Sequence, residues 1–201
     1  VIAEAYGQYT GVKDFKLKFV GKGIYKHTKD STNKINHGYE LQVKATPEYS
    51  KNNVSFIAED SEIFYNITGK YFKLVLKPEV KYTGIANTTL GTKVESLYEF
   101  ETNATKNWNV KPILFAEYRY MATDKLAIIP KGSIDLLINK DVKTVVPTTV
   151  TPSVKLEYKP VSGVTFVAGA ELPVTYNFKK DMQKTDIEVH AKGQLQVKYE
   201  W

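Results

Sequence analysis

The alternation of apolar and polar residues along this chain predicts an all-β fold. Between residues 187 and 201 every second residue is apolar or small, and the residues between them are polar. A period of two is typical of a β-strand with two unlike faces. A long strand with a free edge invites aggregation, whereas a strand that closes a barrel in a membrane has no free edge. The sequence therefore predicts a transmembrane, antiparallel, up-and-down β-barrel.

Composition agrees with this prediction. The mean hydropathy is −0.33, and the chain has no run of about eighteen apolar residues, which excludes a helical membrane span. Transmembrane strands alternate, so their mean hydropathy stays low. The chain has 14 Tyr, 9 Phe and 2 Trp, and aromatic residues both favour strands and form belts at membrane interfaces. It has no cysteine, which excludes disulfides and thiolate chemistry.

The first three of ten predicted strands span residues 15–26, 39–45 and 54–65. In the first strand Phe, Leu, Gly and Tyr alternate with lysines. In the second strand Tyr, Leu, Val and Ala alternate with Glu, Gln and Lys, and the third strand is the least regular. A polar loop at 28–36 and a turn at 47–53 separate these strands.

The next four strands are predicted at residues 71–82, 93–102, 110–121 and 125–139. The fourth strand has lysines on its polar face and the fifth has glutamates. The sixth alternates Leu, Ala and Tyr with Glu and Arg, and the seventh alternates Ile and Leu with Lys, Ser and Asp. The predicted connections before and between them are 66–70, 83–92, 103–109 and 122–124.

The eighth strand ends at Tyr158, the ninth spans 164–178 and the tenth spans 187–201. A tight turn at 160–163 and a polar loop at 179–185 separate them. Many of the strands are longer than the five or six residues typical of globular proteins, and a tilted strand that crosses a bilayer needs about 9–11 residues. Because the chain has no repeat and no Pro-, Gly- or Ser-rich linker, we expect one domain over residues 1–201.

Over nearly its whole length the pattern resembles that of bacterial outer-membrane β-barrel proteins. The specific part of the resemblance is the C-terminal strand, which looks like the signal read by the outer-membrane insertion machinery. That signal consists of Leu195, Val197, Tyr199 and Trp201, where the final residue of the class is usually Phe. The resemblance implies a bacterial outer-membrane location, contact with outer-membrane lipids and recognition by the insertion machinery. It does not extend to a specific family.

The number of strands depends on residues 1–14. They are either an N-terminal segment in the periplasm, or residues 1–10 form a strand of their own and raise the number to eleven. A further strand near residues 60–67 would make twelve. In a ten-stranded barrel the second, fourth, sixth and eighth connections would be the short periplasmic ones. The connections 122–124 and 160–163 fit this rule, whereas 83–92 is too long.

In a membrane barrel the apolar face contacts lipid and the polar face lines the interior. The residues predicted to line the lumen are Lys16, Lys18, Lys22, Lys73, Lys77, Glu95, Glu99, Glu117, Arg119, Lys131, Glu171, Glu188, His190, Lys192 and Lys198. Because a buried charge without a partner is costly, we expect the lysines of the fourth strand to face the glutamates of the fifth. We likewise expect Glu188 and Glu200 to reach lysines of the first strand. Lysines outnumber acids on this face, so an aqueous path should favour anions.

These features favour a narrow passive pore for small, preferentially anionic solutes or ions. Two alternatives stay open. A plugged, non-conducting barrel would have a structural or surface-contact role. A soluble β-barrel carrier would use its Val, Leu and Phe faces to enclose a hydrophobic ligand.

Other functional classes are disfavoured. The net charge of +6 suggests nucleic acid, but the lysines alternate with apolar residues and no nucleic-acid motif is present, so we expect no nucleic-acid partner. The chain has no phosphate-binding loop and no metal-ligand spacing, so we expect no cofactor and no metal. Rim histidines are more often ordinary polar residues than catalytic ones, so we expect no enzymatic activity. The histidines and their conceivable acidic partners are His27, His37 and His190 with Asp60, Asp181 and Asp186.

Overall fold

The computed structural model describes residues 1–29, 31, 34–59, 61–101, 104–140, 146–177 and 186–200, with the backbone alone at 104–106 and 186. This part of the chain contains seventeen β-strands. The strands are β1 (Ile2–Tyr9), β2 (Phe15–Lys29), β3 (Ile35–Lys51), β4 (Val54–Ala58), β5 (Ser61–Asn66), β6 (Tyr71–Leu76), β7 (Pro78–Ile85), β8 (Thr88–Glu101), β9 (Ala104–Tyr118), β10 (Tyr120–Thr123), β11 (Leu126–Leu136), β12 (Ile138–Asn139), β13 (Pro147–Tyr158), β14 (Val164–Glu171), β15 (Val174–Asn177), β16 (Asp186–Val189) and β17 (Lys192–Tyr199). No helix in these ranges is long and apolar enough to cross a membrane.

The prediction of an all-β, antiparallel, up-and-down fold is confirmed, but the predicted number of ten strands is wrong. Six of the ten predicted strands are interrupted once, and two of these interruptions adjoin Pro78 and Pro173. Proline has no N–H to donate to a β-ladder, which agrees with those two breaks, although other prolines, such as Pro130 of β11, lie inside uninterrupted strands. Residues 2–9 form the additional strand β1, which pairs with β2, so the N-terminal residues are part of the sheet.

The strand suggested near residues 60–67 is present as β5, but it does not add a further crossing. Both β4 and β5 pair with β3, so they are two parts of one interrupted strand. The same relation holds for β14 and β15, which both pair with β13.

The loop predicted at 83–92 is also wrong, because β7 continues to Ile85 and β8 begins at Thr88. Asn87 in this turn has a φ of 59°, and Asn52, between β3 and β4, has a φ of 52°. Asparagine tolerates this left-handed conformation better than most residues, and two-residue hairpin turns require it. The connection between β7 and β8 is therefore a short turn and not a loop.

The chain divides into two compact units. Unit 1 comprises Val1–Val80, Lys93–Lys111 and Asn139–Asp141, and unit 2 comprises Lys81–Thr92, Pro112–Ile138 and Val142–Trp201. In unit 1, β2 lies between β1 and β3, and the sheet continues through β4 and β5 to β6 and β8. In unit 2, β11 lies between β9 and β13, and the sheet continues through β14 and β15 to β17 and β16.

On β3 of unit 1 and β13 of unit 2, apolar residues are exposed where the polar residues beside them are partly buried. On β3, Leu41 and Val43 are 50% and 47% exposed, whereas the polar residues Glu40, Gln42 and Lys44 between and beside them are half-buried. This arrangement is the reverse of the one in a water-soluble sheet, where the apolar face packs on a core and the polar face is solvated.

The same inversion occurs on β13 of unit 2. Val154 and Leu156 are 40% and 41% exposed, whereas Lys155 and Glu157 are half-buried. The buried hydrophobic residues of the described ranges are Ala58, Ala127, Ile129 and Val167. Such a small core leaves most of the apolar surface of the sheet uncovered.

Aromatic residues form two rows on the apolar face of unit 1. One row begins with the partners Tyr25 and Tyr39 and continues, one step further along the strands, with the partners Tyr65, Phe72 and Phe100. The other row consists of Phe15, Tyr49 and Phe56. On β3, Tyr39 and Tyr49 are ten residues apart, which corresponds to about 33 Å along the strand. At a strand tilt of about 40° this spacing corresponds to a height of about 25 Å, the height of the apolar band of a membrane barrel.

Candidate functional site

The polar face of unit 2 carries a cavity of about 640 Å³, which we call the polar cavity. Six charged residues line it, namely Glu117, Lys131, Lys155, Glu171, Lys192 and Lys198. Ser153, Gln194 and Gln196 add uncharged polar groups. The volume lies in the range of small-molecule sites, about 300–1,000 Å³.

Strand register builds the centre of the polar cavity. Direct cross-strand partners form a continuous line of side chains across β9, β11, β13, β14 and β17, which we call the charged row. The charged row consists of Glu117, Lys131, Ser153, Glu171 and Lys192. Directly opposite side chains on one sheet face have Cβ atoms about 4.5–5.5 Å apart, so each member can interact with the next.

Some of the charged residues at the polar cavity form ion pairs. Lys192 Nζ lies 3.2 Å from Glu171 Oε1. Glu157, next to the cavity, accepts from Arg119 at 2.8 Å and from Lys155 at 2.9 Å, and its side chain is only 15% exposed. The pairing of Lys155 and Lys192 reduces the positive charge that these two residues present to a solute.

Lys131 and Lys198 differ from the other lysines of the cavity. Among the residues that the structure describes, neither has a carboxylate oxygen within 4.0 Å of its Nζ. Lys131 Nζ instead lies 4.6 Å from the centre of the Phe115 ring, a cation–π contact with an uncharged group. Four lysines and two glutamates line the polar cavity, so positive charges outnumber negative charges there.

Sequence reasoning missed the apolar part of the polar cavity. Ile129 is 2% exposed and Val167 is 8% exposed, and both line the cavity. The alternation assigned this face to polar residues. The available signal was the pair Ile128–Ile129 and the run Phe166–Val167–Ala168, where consecutive apolar residues interrupt the period of two. Lys155, Gln194 and Gln196 were also missed.

In unit 1 the predicted lumen residues on β2 are in ion pairs or opposite acids. Lys18 Nζ lies 2.7 Å from a carboxylate oxygen of Glu48, and Lys22 Nζ lies 2.7 Å from one of Glu4. Lys16 is the direct cross-strand partner of Glu48. The role of these residues in lining a lumen stays a prediction.

The remaining predicted residues of unit 1 lie on or beside β6 and β8. Lys73 and Glu99 are direct partners across these strands, as the charge pattern predicted, but Lys73 forms its ion pair with Glu62, at 3.7 Å. Glu95 pairs with Lys93 at 2.7 Å. The backbone N–H of Lys77 donates to Ser61 Oγ at 3.2 Å.

The other predicted residues are near the C-terminus or outside the described residues. His190 Nε2 lies 3.8 Å from Glu188 Oε2, and both side chains are largely exposed. Leu195, Val197 and Tyr199 are exposed on β17. Trp201, Asp60 and Asp181 and the side chain of Asp186 lie outside the described residues. Within the described ranges, no group of three or more His, Cys, Asp or Glu residues is placed to hold a metal.

No protein-family model matches the sequence, and no curated protein matches it. Among solved structures the chain is similar to "OmpT (in-vitro folded), an outer membrane protein of Vibrio cholerae", with a TM-score of 0.52 and 8% sequence identity. The alignment covers 100% of this chain and 89% of that chain. At this identity the similarity concerns the fold alone.

Proposed function

We propose that this chain is an integral β-barrel protein of a bacterial outer membrane and forms a narrow passive pore for small, preferentially anionic solutes. The observation that carries the proposal is the exposure of apolar side chains such as Val43 and Leu156 beside half-buried polar neighbours. Exposure of apolar surface to water costs about 25 cal/mol of free energy per Å², and contact with lipid removes this cost. The similarity in fold to an outer membrane protein supports the same proposal.

The aromatic rows of unit 1 support the membrane location independently. Tyrosine and phenylalanine rings gather at the two interfaces of a bilayer, because one part of each interface is apolar and the other is hydrated. The spacing between Tyr39 and Tyr49 agrees with the height of about 25 Å that is typical of the apolar band of a membrane barrel. Outer-membrane lipids are therefore the proposed partners of the apolar face.

The polar cavity supports the proposed preference for anions. Lys131 and Lys198 place positive charge there, and among the described residues no carboxylate oxygen lies within 4.0 Å of either Nζ. A cleft with an excess of one sign of charge concentrates ions of the other sign. The role is passive transport, and we propose no catalysis, no cofactor and no nucleic-acid partner. For insertion, we propose recognition of the C-terminal series that ends at Trp201 by the outer-membrane insertion machinery.

A plugged, non-conducting barrel with a structural or surface-contact role is the second candidate. The ion pairs of the polar face of unit 1 favour it. Three lysines, Lys18, Lys22 and Lys26, each lie 2.7 Å from a carboxylate oxygen. Charges neutralised in this way hold long side chains in place and favour a filled interior.

The soluble-carrier alternative requires the Val, Leu and Phe faces to enclose a ligand. In both units these faces are exposed instead, with Val43 of unit 1 at 47% and Leu156 of unit 2 at 41%. We therefore set this alternative below the other two.

Membrane insertion is tested first by the electrophoretic mobility of detergent-refolded protein, boiled and unboiled, together with circular dichroism in buffer and in micelles. We expect a shift on boiling and β-structure that requires detergent, because the apolar face has no other cover. Stable β-structure in plain buffer without a mobility shift would overturn the membrane proposal and restore the carrier.

Pore function is tested by the reversal potential of the refolded protein in a planar bilayer under a KCl gradient. We expect anion preference, and we expect K131E/K198E to abolish or reverse it, because the double substitution changes the local charge by about −4. The control is K13E, a single charge reversal of the same kind at an exposed residue outside the strands. No conductance at any voltage would refute the pore and leave the plugged barrel. Equal shifts in K13E and K131E/K198E would refute the role of the polar cavity.

A further inference from the structure

Two histidines face each other at one end of the β2–β3 hairpin. His27 on β2 and His37 on β3 are direct cross-strand partners, and both are exposed. Their ring centres are 5.5 Å apart, with 30° between the ring planes. They follow the aromatic row of Tyr25 and Tyr39 by one step on the same face of the sheet.

Tyr25 holds one of the two imidazoles in place. Its Oη lies 2.6 Å from Nδ1 of His37, and its ring stacks on the same imidazole with 19° between the planes. Tyr39 also packs against Tyr25, with ring centres 5.2 Å apart. When Tyr25 Oη accepts a hydrogen bond from Nδ1–H, the lone pair of His37 is on Nε2. In most metal-binding histidines, the ring nitrogen that does not bind the metal donates a hydrogen bond to a neighbouring group, and this bond fixes the tautomer and the ring orientation.

We propose that His27 and His37 form a binding site for a divalent late first-row transition-metal ion, of the class of Cu²⁺, Ni²⁺ or Zn²⁺. Neutral imidazole is a preferred ligand of these ions. Water molecules complete the coordination. Tyr25 is a positioning residue that keeps His37 oriented for the ion.

The ring separation agrees with such a site. An ion about 2.0–2.1 Å from each coordinating nitrogen lies about 3.2 Å from each ring centre, so two rings on one ion have centres about 4.5–5.3 Å apart at angles of about 90–110°. The observed 5.5 Å is longer by a few tenths of an ångström, which a small side-chain rotation removes. A long β-ladder connects the two strands from Phe15↔Tyr49 to Lys29↔Ile35, so the backbone already holds the two ligands opposite each other.

The test uses the refolded full chain in detergent micelles, with Zn²⁺ in titration calorimetry and Cu²⁺ in electron paramagnetic resonance. We expect one Zn²⁺ per chain and a copper spectrum with nitrogen hyperfine structure from two imidazoles. H27Q and H37Q should each weaken Zn²⁺ binding at least about tenfold, because one imidazole alone loses the chelate advantage. Y25F should weaken Zn²⁺ binding less than H27Q or H37Q does. When H37Q is already present, adding Y25F should cause no further loss of Zn²⁺ affinity.

The matched control is H190Q, which removes the exposed histidine of another hairpin and should leave Zn²⁺ binding unchanged. All variants are first compared by electrophoretic mobility on heating, so that a failure to fold is separated from a loss of metal. Equal Zn²⁺ affinity in the wild type and in H27Q/H37Q, or a copper spectrum with a single imidazole nitrogen, would overturn the proposal. Because the readout is metal binding, either result is independent of whether the chain conducts ions.

Discussion

Replacing Val154 with arginine measures directly what the apolar face of unit 2 contacts. Val154 lies on that face of β13, 40% exposed, four residues before Tyr158. Tyr158 stacks with Phe166 at the end of the strand, with ring centres 6.5 Å apart, where we expect the membrane interface. Four residues correspond to about 13 Å along the strand and, at a tilt of about 40°, to about 10 Å of depth.

This depth is close to the middle of an apolar band about 25 Å tall. Arginine at the middle of a membrane barrel costs about 2–4 kcal/mol of unfolding free energy, and near the interface about 0–1 kcal/mol. V154R should therefore lower the folding equilibrium constant roughly 30- to 700-fold. The control is V161R, at a residue 62% exposed in the connection after Tyr158, beyond the expected interface.

The assay is equilibrium unfolding by guanidinium of protein refolded into lipid vesicles, with linear extrapolation to zero denaturant. In a water-soluble sheet both exposed sites would tolerate arginine within about 0.5 kcal/mol. A difference between V154R and V161R smaller than that would refute the argument that this face lies in lipid, and with it the membrane barrel.

Two further substitutions test the polar face. E157Q removes the carboxylate that neutralises Arg119 and a neighbouring lysine, so we expect a loss of about 1–3 kcal/mol in the same unfolding assay. A change below about 0.5 kcal/mol would mean that water solvates those cations. G91A places a Cβ against the Phe115 ring, so we expect a loss of about 1–3 kcal/mol, whereas G132A meets nothing within 4 Å and serves as its control. Equal stabilities of G91A and G132A would contradict the observed position of the ring.

The sequence predicted the fold class well because alternation is a local property. Each strand shows its two faces within a few residues, so β3 and β13 were recognisable without knowledge of their neighbours. Strand ends were predicted less well. The loop expected at 83–92 is a tight turn around Asn87, because the pattern does not reveal that a single asparagine adopts a left-handed conformation there.

The sequence also did not show which polar side chains lie close together in the folded chain. Lys73 faces Glu99 across the ladder as expected, yet its ion pair is with Glu62 on the strand on its other side. A lysine side chain reaches partners on either neighbouring strand, and only the positions of both strands decide between them. Sequence reasoning missed the apolar Ile129 in the polar cavity for a related reason. The two-residue period assigns a position to the polar face, but it does not show whether other residues bury that position.

The amino-acid sequence by itself determined that the chain is all-β, that it has an apolar and a polar face, and that its polar face is rich in lysine. These properties follow from residue order within single strands. The tertiary structure alone decided which polar residues become neighbours. The charged row joins Glu117, Lys131 and Lys192, which are far apart in sequence, because strand register aligns them. Register depends on turns and cross-strand packing, and a shift of one residue would move these side chains to the opposite face.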